Sequence, residues 1–362
     1  MMRQTDRQDR TPRILYCFPR SSTFIQRDID GLRGRYDVHA HALNARPAWK
    51  LPFRLIHQLF WLLRNKAWSC DCICHFSGYH ALLPTLICRR TFIILAGSDC
   101  ASIPAIRYGN HSRKLMGWAT RKAAARATRL LPVHASLMHR TQTFSGMVPA
   151  EQGILAFGPW IKTPWTEIPY GFDAEFWAPG TGNDRDPGSF ICVPGAASPA
   201  NRLHVLKGVK LVLDIAERMP SANFAIVGVA DLDAYADAPQ NVTFHHHINA
   251  LALRELYRKA SFHLQLSLSE GMPNALCEAM LCGCIPLVSR ISSMPEIVEG
   301  IGFVLDHDDP EMGAALGQEL LALSASERDR RSRSARSKVA QDYPMQRRLD
   351  ALTSLLTDAP VH

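Results

Sequence analysis

The chain has 362 residues, 47% of them hydrophobic, and a formal net charge of +8. That length suits two domains, each with its own core. No stretch reaches the ~20 uncharged apolar residues a membrane-spanning helix needs, and the start MMRQTDRQDRTPR lacks the apolar segment of a secretory signal.

With no export signal, the ten cysteines are expected to be free thiols in a reducing cytoplasm. The charge is uneven. Residues 1–170 hold 24 Lys and Arg against 9 Asp and Glu, whereas residues 171–362 hold 17 against 24. A basic first half predicts an anionic partner, either a phosphate-bearing or lipid-linked acceptor or a peripheral contact with an anionic membrane surface. No aromatic-basic motif for nucleic acid is present.

In chain order, the first half alternates short apolar runs with helical stretches. Strands are expected at 13–18, 37–43, 70–76, 91–97 and 128–133, with a helix over 112–127. Segment 49–68, WKLPFRLIHQLFWLLRNKAW, is amphipathic and has two readings: a core helix of the first sheet, or a helix lying in a membrane interface with its apolar face down. Cys70, Cys72 and Cys74, with His75, stand as Cys-x-Cys rather than the Cys-x2-Cys of common zinc sites, and their alternation reads as a buried strand. Residues 171–188, rich in Gly, Pro and Asp, form a linker.

The alternation then restarts. Strands are expected at 189–195, 223–229, 241–247, 261–267, 284–289 and 302–305. Helices are expected near 205–218, 250–259 and 273–282, and three more, near 310–323, 326–341 and 345–357, close the chain. Strand–helix alternation twice over gives an α/β protein of two Rossmann-like, doubly wound domains facing a central cleft. Residues 1–170 would form the first domain and 171–343 the second, with 344–362 returning to pack on the first. His245, His246 and His247 cannot all face one metal if they lie in a strand. Cys282 and Cys284 read as packing. Asp231 and Asp233 sit in a polar loop and read as solvated surface.

The segment SLSEGMPNALCEAMLCGCIPLVS (267–289) carries the chemistry. A buried strand gives way to a turn with Glu270 and Gly271. Pro273 suits the first turn of a helix, and Gly283 suits its end. The free N–H groups and positive dipole end of that helix suit a diphosphate. Glu270 stands just ahead of it and Glu278 inside it.

This segment resembles the signature of glycosyltransferase family 4, within the GT-B fold of the group 1 glycosyltransferases. The elements present are Glu270, Gly271, Pro273, Asn274, Glu278, Ala279, Met280 and Gly283. The runs at 293–298 and 302–304, the segment IPYGFDAEFWAP (168–179) and the loop and helix start VPGAASPANRLHVLKGVK (193–210) are similar to the family as well. The first-half runs 18–32, 74–84 and 94–109 resemble a bacterial subset of it.

The resemblance implies a retaining, metal-independent transfer of a hexose-type sugar from a nucleotide-diphosphate donor to an acceptor hydroxyl, in cell-surface polysaccharide or glycolipid synthesis. No cofactor is implied beyond the donor substrate. The enzyme would be cytoplasmic, free or peripheral at the inner face of the plasma membrane, with the donor and a glycan or lipid-linked acceptor as partners. Lys207 and Arg202 would neutralise the diphosphate, with Arg202 standing in for an arginine whose usual place is taken by Ala196. Glu270 would bind the sugar hydroxyls and Glu278 the ribose. Gly271, Met272, Pro273, Asn274, Gly195 and Ser22 would complete the donor site. Many relatives have a histidine where Ala96 stands, so His75, His80 or Asp99 is a candidate for part of its role. Asp99 has two readings, turn-capping and acceptor binding.

The competing functions are another GT-B activity, such as a phosphorylase or an inverting transferase, and a non-catalytic nucleotide-sugar or glycan binder. A dinucleotide oxidoreductase lacks its Gly-x-Gly-x-x-Gly after a first strand.

Overall fold

The computed structural model describes residues 11–180 and 185–357. The expectations for residues 1–10, for 181–184 of the linker and for 358–362 lie outside the described residues.

The first sheet is parallel and has the order β2-β1-β3-β4-β5. Its strands are β1 (Arg13–Phe18), β2 (Asp37–Ala42), β3 (Asp71–His75), β4 (Arg90–Leu95) and β5 (Arg129–Pro132). A short antiparallel pair, β6 (Arg140–Thr141) and β7 (Glu151–Gln152), follows. The second sheet has the order β10-β9-β8-β11-β12-β13 and is also parallel. Its strands are β8 (Asp186–Cys192), β9 (Asn223–Val227), β10 (Val242–His245), β11 (Ala260–Gln265), β12 (Ile285–Ser289) and β13 (Phe303–Leu305).

All eleven strands expected from the sequence form, each displaced by at most a few residues. Every residue of β3, β11 and β12 is buried, as strands covered by helices on both faces must be. The first order is that of flavodoxin-like sheets and the second that of classic doubly wound sheets. In both, ligands bind beyond the carboxyl ends of the strands where the order reverses. The reversals lie between β1 and β3 in one domain and between β8 and β11 in the other.

The helix expected near 205–218 is two helices, Arg202–Leu206 and Val209–Arg218. Gly208 makes the break. Its φ is +66°, and a Cβ there would lie 2.0 Å from the Leu266 carbonyl oxygen. Only glycine allows so close an approach to the end of β11, and this fixes the place of Lys207.

Helix Met345–Thr357 lies on the first domain. Arg348 grips Asp28 of helix Thr23–Arg33 through two 2.6 Å bonds and donates to the Ile168 and Pro169 carbonyls. Leu349 packs over Gly31.

Helix Leu51–Arg64 departs from the core-helix reading. Only Gln58 and Leu62 are buried. Phe53 and Phe60, both 66% exposed, face out with Trp49, Ile56 and Leu63. Periodicity gives the apolar stripe but not its direction. Gln58, donating to the His80 carbonyl at 2.8 Å, holds the opposite face to the domain. Among the described residues no helix is long and apolar enough to cross a membrane.

Candidate active site

β11 ends at Gln265, and the loop after it crosses the reversal point of the second sheet. Three donors converge there on one oxygen, Glu270 Oε1: Lys207 Nζ at 2.5 Å, Ser267 Oγ at 2.8 Å and Gln265 Nε2 at 3.1 Å. Lys207 and Glu270 keep 24% and 11% of their side chains exposed. This is a held pair at the edge of the crevice, with a cation beside a carboxylate whose orientation is fixed.

At Gly271 the backbones of the two domains come close together. A Cβ on it would lie 2.3 Å from the Ala96 carbonyl oxygen, and Gly97 (φ +136°) faces the Gly271 amide. The Gly271 carbonyl accepts from Ser293 Oγ at 2.7 Å and Ser292 Oγ at 3.2 Å. Met272 is buried. Pro273 (φ −74°, ψ 118°) stands just ahead of helix Asn274–Leu281 rather than within its first turn, and no side chain caps that end. The first-turn N–H groups therefore lack intrahelical partners, and their dipole end favours an anion.

Glu278 is the fifth residue of that helix. Its nearest cation comes from the other domain: Arg27 lies 3.9 Å from Glu278 Oε1 and donates to Asn274 Oδ1 at 2.5 Å. Burial pushes the Glu278 carboxyl up to about 7, against the pull of Arg27.

The Gly195 loop follows β8 on the facing side of the crevice. Gly195 has φ +66° with open space where a side chain would stand, and Gly228 (φ +93°) packs against its Cα. Ser22 precedes helix Thr23–Arg33. Its hydroxyl, the Ser269 hydroxyl and Arg140 Nε are buried without hydrogen-bond partners among the described residues. Unpaired buried polar atoms of this kind call for a specific reason.

Three other sequence candidates, Asp99, His75 and His80, are buried in the first domain. Asp99 takes the turn-capping one of its two readings. Its oxygens accept the backbone N–H groups of Ser77, Ala96 and Gly97 at 2.9 to 3.1 Å, and burial pushes its carboxyl up to about 6. His75 is enclosed between the Tyr16 and Tyr170 hydroxyls, each at 2.9 Å, and burial lowers it to about 3. His80 donates to the His75 and Phe76 carbonyls. Arg202 reaches across to the Arg107 carbonyl at 3.0 Å and lies over the Tyr108 ring, so it bridges the two domains.

Two arginines absent from the sequence expectations enter the site. One is Arg27. The other is Arg140, which donates to Ser292 Oγ at 3.0 Å. Burial draws its guanidinium below the ordinary range, against the pull of Cys100, Tyr108 and Glu270. Arg27 lies in the run 18–32, where nothing singles it out, and Arg140 lies in none of the runs that resemble the family; the packing of one domain on the other brings both in. The same packing joins His134 to Glu296 and Ser136 to Ser292.

Among the described residues, one cluster has metal-ligand types in reach of one another: Cys17, Cys72 and Cys74, three buried thiols on neighbouring strands. Cys70 and His75 are not part of it. Asp231 and Asp233 are exposed.

Residues 199–323 match the family model of the glycosyl transferases group 1. The fold is similar to that of HepE from Anabaena in complex with UDP (TM-score 0.70, 14% identity, covering 95% of this chain and 99% of that one). It is also similar to sucrose-phosphate synthase from Thermosynechococcus elongatus (0.68, 13%, 95% and 98%) and to a glycosyltransferase from Rickettsia africae (0.66, 12%, 96% and 98%). No curated protein sequence matches the chain. The two facing sheets are those of the GT-B fold.

Proposed function

We propose, from the premise that the chain belongs to the group 1 glycosyltransferases of GT-B fold, that it moves a hexose-type sugar from a nucleotide diphosphate to an acceptor hydroxyl with retention of configuration. The observation that carries this reading is the held Glu270 carboxylate beside an uncapped helix start, with Lys207 on one side and Glu278 on the other.

The leaving group is a diphosphate, and negative charge grows on it as the glycosidic bond breaks. Lys207 and the N–H groups at the start of helix Asn274–Leu281 meet that charge as fixed donors. Arg140, drawn in from the first domain, adds a third source of positive charge. Glu270 holds the sugar hydroxyls and faces the positive charge developing on the ring. Glu278 accepts the ribose hydroxyls. The acceptor attacks from the face that the diphosphate leaves, and the leaving phosphate takes the acceptor's proton. On this route no enzyme base is required, in keeping with the inward positions of His75, His80 and Asp99. HepE was solved with UDP, which makes uridine diphosphate sugars the first donors to try.

A second reading is a non-catalytic binder of nucleotide sugars. Ala96, where the family resemblance implies a histidine, favours it. A thermal-shift screen against UDP, GDP, ADP and their hexose conjugates tests both readings. Ligand at 100 times its dissociation constant stabilises the native state by about 2.7 kcal/mol. Stabilisation together with release of the nucleotide in the presence of an acceptor supports the transferase. Stabilisation without turnover on any acceptor supports the binder.

A further inference from the structure

The first domain has its own reversal point, between β1 and β3, and a cavity of about 790 Å³ opens beside it. Arg20 comes from the loop after β1, Arg46 from the loop after β2, and Arg113 and Lys114 from the start of helix Lys114–Arg126. Arg202 closes the cavity from the other domain. Five cations thus line one hollow, and none of its described lining residues is acidic. None of the five is in a salt bridge among the described residues, although many of the protein's other arginines are. Burial, with repulsion from Arg202 and Arg46, draws the Arg113 guanidinium below its ordinary range. A concave site of this kind is complementary to an anion with several oxygens.

The rim is apolar. Leu51 lines the cavity and begins the helix whose Phe53, Ile56 and Phe60 face out. Leu115, 74% exposed, also lines the cavity and lies in the same helix as the exposed Trp118. The anion-binding hollow and the exposed apolar stripe therefore share an edge.

The geometry points to an acceptor whose phosphate or diphosphate is carried on a lipid chain, with the anion among Arg46, Arg113 and Lys114 and the chain leaving past Leu51 and Leu115 onto the apolar stripe. The inference rests on the transferase reading, since it places the acceptor opposite the donor crevice. The helix enters the bilayer interface with its aromatic residues down, as amphipathic interfacial helices do.

The test is co-flotation of the full chain with phosphatidylcholine vesicles, with and without phosphatidic acid, at physiological ionic strength. Three double variants are compared with the unmodified chain. Arg46→Gln with Arg113→Gln alters the cavity. Phe53→Ser with Phe60→Ser alters the stripe. Arg126→Gln with Arg129→Gln removes the same charge beyond the far end of the helix that starts at the cavity. Cavity and stripe variants are expected to lose binding to the anionic vesicles by roughly 30-fold and ten-fold or more, while the remote variant keeps it. Nucleotide-induced thermal shifts should be unchanged in all three, which shows that the fold and donor site are intact. Equal losses in cavity and remote variants would reduce the attraction to diffuse charge and overturn the proposal. Undiminished vesicle binding by the stripe variant, with inorganic diphosphate competing fully, would overturn its lipid part in favour of a soluble phosphorylated acceptor. Absence of any nucleotide shift in the unmodified chain would instead strike at the donor reading, independently of the vesicles.

Discussion

Lys207 Nζ lies 2.5 Å from Glu270 Oε1, and the residue after Lys207 is the glycine that lets its helix start press against the end of β11. The pairing has a consequence for an empty site. On the proposed function, Lys207 balances Glu270 until a diphosphate arrives, and the ligand would then compete for the same ammonium. Lys207→Ala is expected to lower kcat/KM by about 10²- to 10³-fold, the scale of removing one fixed electrostatic donor. Steady-state kinetics on the nucleotide-sugar that stabilises the protein checks it.

Gly271→Ala probes the domain contact. The added Cβ would meet the Ala96 carbonyl at 2.3 Å, backbone against backbone, so neither side can rotate away. Overpacking of this sort costs about 1–3 kcal/mol. The domains are expected to sit further apart, with a larger radius of gyration in small-angle scattering and a fall in kcat of at least about tenfold, as misplacement of a reacting group brings.

If Glu278 receives the ribose as proposed, it sets a pH dependence for donor binding. Its carboxyl is raised to about 7 by burial, whereas an exposed glutamate titrates near ~4.3. The folded chain therefore holds a proton that the unfolded chain has lost. The stability this group contributes falls as pH rises from the ordinary value towards about 7, then levels. Ribose hydroxyls donate best to the ionised carboxylate. Nucleotide affinity should thus rise by up to about tenfold per pH unit below about 7 and flatten above it. Calorimetric titration across that range checks it, and Glu278→Gln should bind more weakly with the slope removed.

The two domains and their eleven strands were legible because parallel strands buried on both faces are continuous apolar runs, and helices between them carry a different period. The candidate donor segment could be singled out because Glu270, Pro273, Asn274 and Glu278 lie close together in the sequence. Arg27 and Arg140 could not. Arg27 lies in the run 18–32 and Arg140 outside every run that resembles the family, but both meet the site only through the fold, so no spacing singles them out. Asp99 illustrates a limit of another kind. A carboxylate in a turn has the same sequence context whether it caps the turn or faces a ligand, and its three backbone N–H partners decide. The stripe of helix Leu51–Arg64 was visible as a stripe, but its outward direction depends on which residues the first sheet leaves room to bury.

Arg348→Ala should destabilise the whole chain. The residue is buried and holds Asp28 with two 2.6 Å bonds. Removing one partner leaves a buried charge unpaired, at a cost of about 3–5 kcal/mol. Urea unfolding should show that loss, and replacing both partners together, Asp28→Leu with Arg348→Met, should recover most of it.

The most direct test of the account is turnover of Glu270→Gln beside its nucleotide affinity. Glutamine keeps the size of the side chain and can still receive Lys207, Ser267 and Gln265 through its amide oxygen, so the fold should hold. Sugar transfer is expected to fall by about 10²-fold or more, while binding of the bare nucleoside diphosphate changes by no more than a few-fold, because the lost charge faces the sugar and not the diphosphate. Turnover equal to that of the unmodified chain would contradict the placement of the reacting sugar at Glu270.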